Sequence, residues 1–490
     1  MSKIVIIGGG IAGLTAGIFA QKYGFESEIF EKNANAGGEC TGWNRNGFHI
    51  DNCIHWLTGT KKSTELYKLW KETGALGDDV EMIEFDSFYT SFFDEKKAVL
   101  WRDKERTRKE LRKLGRSDGK AIDEFIKAVT ALEKLEMPVE KPFDMMSAIE
   151  KMKLGISMFG ALKYVKKYGK VSLKEYAGTF QSQVLRQFFL DYMDSGFNAL
   201  SLMTSYASFT AGNGNVPKGG SVGMAERMAE KYRSLGGVIN TKSPVEKVDI
   251  DGTKATGITL ADGKKIQADY VICACDTSVT FNQLMDRKYM PKELESNYKK
   301  LKVLSSFQAS FSVDDECRFI SNTEIFPCRE IKIGNSSFER MGVKSYWHEP
   351  DFAPAGKAVL QVHFTQTEDD YEYWKNLYET DRNEYKKKKL EIAEEIILSI
   401  SAQYQQINGK IEVLDVLTPY TYNKWTGAYK GSYMSFIMSP KAMEQKNFTG
   451  MIKGLDNVFL ASQWQEIPGG LPYAAAMGKF AVQRIAGVRK

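Results

Sequence analysis

Cysteine and histidine are scarce in this chain of 490 residues, which holds six of the first and four of the second. Cys40, Cys53, Cys273, Cys275, Cys317 and Cys328 are too sparse for a disulfide scaffold, and none stands in a Cys-x-x-Cys pair. Cys273 and Cys275 alternate along a predicted strand, which reads as buried thiols rather than redox partners, so a reducing compartment is expected. His49, His55, His348 and His363 fit no metal-ligand spacing, and neither a Ser-His-Asp order nor a Walker loop appears. No metal is therefore expected. A charge excess of one sign is missing too, since 67 Lys and Arg against 62 Asp and Glu leave +5, too weak a bias to draw nucleic acid. No segment offers about 20 uninterrupted apolar residues, so no helix is expected to span a membrane. The apolar stretch from Ile4 to Ala20 is broken by Gly8, Gly9, Gly10 and Gly13, which argues against a signal peptide. Repeats and low-complexity linkers are absent as well.

What is present is an ordinary globular composition, 43% apolar and 26% charged, in a chain long enough for two substructures, one interleaved through the other. Ile4 to Ile7 reads as a strand buried on both faces, Ile11 to Tyr23 as a helix ended by Gly24, and Ser27 to Phe30 as a second strand. Gly8-x-Gly10-x-x-Gly13 thus lies between a strand and a helix, the context in which this motif carries meaning. Gly8 allows the tight turn, Gly10 lets the backbone approach a pyrophosphate, and Gly13 lets helix and strand pack closely. The N–H groups of Ile11 and Ala12 then open the helix towards the phosphates. Glu31 ends the second strand where a carboxylate accepts hydrogen bonds from ribose hydroxyls and repels a 2′-phosphate, with Lys32 beside it. These residues predict an adenosine dinucleotide site.

Further blocks lie downstream. Gly37-Gly38-Glu39 extends the loop, and Gly47 to Asp51 restarts a strand. Pro217-Lys218-Gly219-Gly220-Ser221 opens a helix that leads to the strand Val245 to Val248, and Gly454 to Trp464 precedes Pro468-Gly469-Gly470-Leu471-Pro472. On these motifs the chain resembles the two-dinucleotide-binding-domain flavoproteins, the group containing amine oxidases and phytoene desaturases. Within it, the likeness is to the phytoene desaturase, carotenoid isomerase and retinol saturase branch. The resemblance implies an α/β fold: a Rossmann-type, amine-oxidase-like FAD-binding domain with a parallel sheet, and an interleaved α+β substrate domain carrying a helical insertion. FAD would be held by Gly8, Gly10, Ile11, Ala12, Gly13, Glu31, Lys32, Gly37, Gly38 and Glu39, with the Val248 backbone at the adenine. Gln463, Gly470 and Leu471 would lie along the ribityl chain and flavin ring. Glu39 stands where the group commonly has a basic residue, and Gln463 where it often has an Asp.

The expected division assigns 1–90, 205–285 and 440–490 to the cofactor domain. It assigns 91–204 to a helical lid and 286–439 to a mixed-sheet substrate domain. A flavin supplies hydride chemistry at its N5, so few catalytic side chains are needed. His55, after the strand that runs towards the flavin, reads either as a proton donor to substrate or as a satisfied histidine beside the cofactor. Trp425, Tyr429 and Tyr433 read as a pocket over the flavin or as core. The resemblance implies an FAD-dependent oxidoreductase that desaturates, saturates or isomerises carbon-carbon bonds of a lipophilic polyene or isoprenoid. The alternatives are a flavin amine oxidase and a protein that holds prenylated partners without flavin. Residues 151–174 mix Met152, Leu154, Ile156 and Phe159 with Lys151, Lys153, Lys163 and Lys166, which reads equally as a membrane-interface helix and as a lid helix with solvated lysines. A cytoplasmic protein is expected, with the inner face of the membrane as its second location, and the oligomeric state is left open.

Overall fold

Ile4 to Ile7 is apolar at every position, and the strand Lys3–Ile7 is buried accordingly, at the centre of a parallel sheet. The computed structural model describes residues 2–318, 322–446 and 448–488. Across this five-stranded sheet the order is Val238–Asn240, Glu26–Phe30, Lys3–Ile7, Tyr270–Cys273 and Val458–Leu460. The helix Ile11–Lys22 is buried from Ile11 to Ala20, because the sheet covers one side of it and the C-terminal helix Leu471–Val488 and the helix Gly220–Ser234 the others. Glycine permits that closeness: a Cβ on Gly478 would run into the carbonyl oxygen of Ala12. On the other face lies a meander, Val245–Asp251, Lys254–Leu260 and Lys265–Gln267, turned at Asp262-Gly263. Val248, Ala255 and Ile258 share its apolar layer with Val5, Phe30 and Val271.

A second, seven-stranded sheet runs in the order Ile411–Leu417, Ser305–Asp314, Lys357–Gln366, Ser336–Ser345, Thr323–Ile333, Ser87–Phe93, Lys96–Trp101. Alternation is clearest in Ser305–Asp314 and in Leu360 to Phe364. Phe307, Ala309, Phe311, Leu360, Val362 and Phe364 face the helices Glu368–Thr380 and Arg382–Gln403, meeting Trp374, Ile392 and Ile396. With a side-chain period of two, Ser306, Gln308, Ser310, Gln361, His363 and Lys344 face the other way, towards the loops of the parallel sheet. There the Gln361 amide donates to the backbone carbonyl of Asp51 at 2.7 Å.

Between these sheets the chain runs through helices at Lys104–Leu114, Gly119–Leu132, Ala148–Tyr168, Leu173–Ala177, Gln183–Leu190 and Ala199–Thr210. Phe125, Phe180, Phe188, Phe189 and Tyr206 form their aromatic core. The hairpin Ser87–Trp101 ahead of them belongs to the seven-stranded sheet, pairing in parallel with Thr323–Ile333. A boundary drawn at 90/91 therefore falls inside the strand Ser87–Phe93, and one at 204/205 inside the helix Ala199–Thr210. The insertion is fastened to the sheet by a fork in which Arg340 donates to both oxygens of Asp191 at 2.7 and 2.8 Å.

Candidate cofactor and substrate site

The glycine turn is held from three sides. Gly8, at φ +103°, donates to the carbonyl of Phe30 at 2.9 Å, which docks the turn onto the second strand. Gly13 packs so that any Cβ would drive into the carbonyl oxygen of Gly8, a clash of backbone with backbone. Glu31 closes the third side: one carboxylate oxygen accepts from Gly9 N–H at 2.7 Å and the other from Asn33 N–H at 2.8 Å. Lys32 follows it, exposed on the rim. The first N–H groups of the helix, from Ile11 onward, have no partner inside the helix and open at this turn. Free helix donors, a backbone approach kept clear of Cβ atoms and a carboxylate at the strand end fit the adenosine and pyrophosphate of a dinucleotide.

The loop at Gly37 and Gly38, both at positive φ, leans on the same turn through a 2.8 Å bond from Gly37 N–H to Gly9 O. It delivers Glu39 to Gln463. The Gln463 amide donates to Glu39 at 3.5 Å and its oxygen accepts from Gly470 N–H at 2.7 Å, at the start of the C-terminal helix. So Glu39, from one end of the chain, and Gln463 and Gly470, from the other, form one chain of contacts that ends beside Leu471. Burial, reinforced by the nearby Asp276 carboxylate and opposed by the Gln463 amide, pushes Glu39 up to about 8. At neutral pH it is a neutral acid, which explains how a carboxyl stands in a loop meant for an anionic cofactor.

Beyond Glu39 the strand Phe48–Asp51 carries the chain into the interior. Asp51 is buried, accepts from Ser221 N–H at 2.8 Å and Ser221 Oγ at 3.0 Å, and so caps the helix Gly220–Ser234. Glu349, also buried, accepts from Gly219 N–H at 2.9 Å at the same helix end. Burial raises both carboxyls, Glu349 to about 7. His55 lies beside His363, ring centroids 4.8 Å apart. Burial and the neighbouring Lys344 hold both imidazoles neutral, His363 down to about 3. His363 in turn sits 3.4 Å from Ser306 Oγ and 3.4 Å from the oxygen of Gln361.

Among the described residues no ring contact joins the three aromatics expected over the flavin. Trp425 packs edge-on against Trp43, with its carbonyl taken by Asn33, on the rim near Glu31. Tyr429 packs against Tyr298 and Trp464, and its N–H goes to Asp276. Tyr433 is 42% exposed, and desolvation raises its hydroxyl pKa. Val248 is buried in the meander, paired with Ile258, which leaves only its backbone for a ligand.

Lys344 and Glu349 were not singled out in the sequence, Asp51 entered only as the end of a strand, and His363 was assigned no site role. A signal existed for part of this. Ser306, Gln308 and Ser310 alternate with Phe307, Ala309 and Phe311, and Gln361 and His363 with Leu360 and Val362, the pattern of a sheet with one polar face. That the polar face points inward was not in the pattern.

A model of the family described as flavin containing amine oxidoreductase matches residues 11–486. A 4,4'-diapophytoene desaturase (4,4'-diapolycopene-forming) of Methylomonas sp is 24% identical, over 96% of this chain and 92% of its own length. The chloroplastic prolycopene isomerase of Daucus carota is 24% identical over 88% of this chain and 71% of its own. Among solved structures, wild-type putrescine oxidase bound to putrescine superposes with a TM-score of 0.61 at 14% identity, covering 99% of both chains, a likeness of fold. The family's flavin is FAD, and the Gly8 to Gly13 turn, Glu31 and the Gln463–Gly470 contact suit it. With the match running from the glycine turn to the last helix, the chain belongs to the flavin-containing amine oxidoreductase family.

Proposed function

We propose that this FAD-dependent oxidoreductase acts on carbon-carbon bonds of a lipophilic polyene, by desaturation, saturation or isomerisation. The observation that carries the reading is the full-length similarity to a diapophytoene desaturase and a prolycopene isomerase. When bound, FAD supplies hydride exchange. The chain's residues bind and orient. The glycine turn and Glu31 hold the dinucleotide end, and the Gln463–Gly470 contact sets the start of the C-terminal helix. The helix Ala148–Tyr168 supports a route in for such a substrate. Its Ile149, Met152, Ile156 and Phe159 recur at helical spacing and are all exposed, Phe159 by 80%. Lys151, Lys153, Lys163 and Lys166 flank them, the composition of a helix that lies in an anionic lipid interface. No helix among the described residues is long and apolar enough to cross a membrane.

The test is to incubate FAD-loaded protein with acyclic C30 and C40 polyenes in lipid vesicles and follow the polyene absorbance. A band shift reports a change in conjugation or geometry. No change with any polyene, together with peroxide release from amines, would transfer the protein to the amine oxidases.

A further inference from the structure

Resting on the polyene reading above, we infer that the substrate has a carboxylate end, received in the interior by Lys344 and His55. Lys344 projects from the strand Ser336–Ser345 and is 4% exposed. Its ammonium has no hydrogen-bond partner among the described residues. The ring of Tyr346 lies 5.2 Å from Nζ, and Asp51, whose field also reaches it, has its oxygens engaged by Ser221. A desolvated ammonium without a partner costs several kcal/mol, so a fold keeps one where something else completes it. Burial accordingly lowers the Lys344 pKa, which an arriving anion would reverse.

A second unfilled group lies in the same place. His55 Nε2 is buried and without a partner, and its ring is set against His363. Two nitrogens thus lack a partner, one an ammonium and one an imidazole nitrogen that donates in its Nε2–H tautomer, and a carboxylate offers two oxygens to such a pair. A doubly charged phosphate is disfavoured, because Asp51 and Glu349 already bring carboxyls to this region, where Lys344 is a buried cation and Lys218 acts on Glu349 from the surface. The polar face formed by Ser306, Gln308, Gln361 and His363, its groups bonded to one another, to Ser310 and to the Asp51 carbonyl, continues from this point, whereas a hydrocarbon end would leave Lys344 Nζ and His55 Nε2 unpaired.

Equilibrium dialysis of FAD-loaded protein against all-trans-retinoic acid and its methyl ester, two probes that differ in the end group alone, decides the matter. The acid should bind at least about tenfold more tightly than the ester. Lys344→Met should abolish that preference while leaving ester affinity and the flavin spectrum unchanged, and Lys344→Arg should restore it. Equal binding of acid and ester to the wild-type protein would overturn the inference while leaving the polyene reading intact, and that comparison needs no variant to fold. Equal loss of both probes in Lys344→Met, with an altered flavin spectrum, would give Lys344 to the cofactor and also overturn it. Binding of neither probe would sink both readings.

Discussion

Replacing Glu39 by Gln should stabilise the flavin-free protein, and by more as the pH rises. In an unfolded chain this carboxyl ionises near 4.5, whereas burial and the Asp276 carboxylate move it to about 8 in the fold. Between those two values the unfolded chain has released the proton and the native protein still holds it. Each pH unit in that window therefore costs the native state about 1.4 kcal/mol. The sign follows from a raised acid: the penalty is absent below the unfolded value, grows through the window and levels off above the folded value. Gln keeps the shape and neutrality of the protonated acid and has no proton to lose, so the penalty disappears. The expected gain is about 1.4 kcal/mol near pH 5.5 and about 3 kcal/mol near pH 7. Urea unfolding of flavin-stripped wild-type and Glu39→Gln protein, followed by circular dichroism at both pH values, measures the difference. A gain that is the same at both, or a loss that deepens with pH, would show that Glu39 is an ordinary ionised carboxylate and refute the reasoning.

Three further outcomes are expected. Gly13→Ala forces a Cβ into the carbonyl oxygen of Gly8, so purified protein should lose flavin absorbance and about 1–3 kcal/mol of stability; full FAD occupancy would contradict the described turn. Arg340→Met leaves the Asp191 carboxylate, whose side chain is 1% exposed, without its cation, and should cost about 3–5 kcal/mol in thermal or denaturant unfolding. A loss within the scatter of surface substitutions would mean that the fork does not hold the helical insertion. Phe159→Glu, at a position open to solvent, should leave the melting temperature nearly unchanged and abolish flotation with anionic vesicles; unimpaired flotation would remove this helix from the membrane reading.

The cofactor half of the molecule was legible because its signals are local. A buried strand needs the unbroken apolar run Ile4 to Ile7, the turn after it needs glycine where a Cβ would strike backbone, and the strand end at Glu31 needs a carboxylate. The helix Ile11–Lys22 is likewise written in its own segment. Glu39, Gln463 and Gly470 were each named from motifs, but their contact was not, since it joins two ends of the chain.

The substrate half depended on pairings that no local pattern encodes. A lysine near the end of a strand reads as solvated, and Lys344 becomes buried because its strand is locked between Thr323–Ile333 and Lys357–Gln366 and faces Asp51 across the interior. His55 and His363 meet for the same reason, and Trp425 and Tyr429 turn to different aromatic neighbours, Trp43 for one and Tyr298 and Trp464 for the other. Side-chain chemistry and backbone stereochemistry, properties of single residues and their neighbours, determined the dinucleotide cradle. Which polar groups were left inside without water was decided by the tertiary fold, because desolvation belongs to the whole packed structure and not to any segment of it.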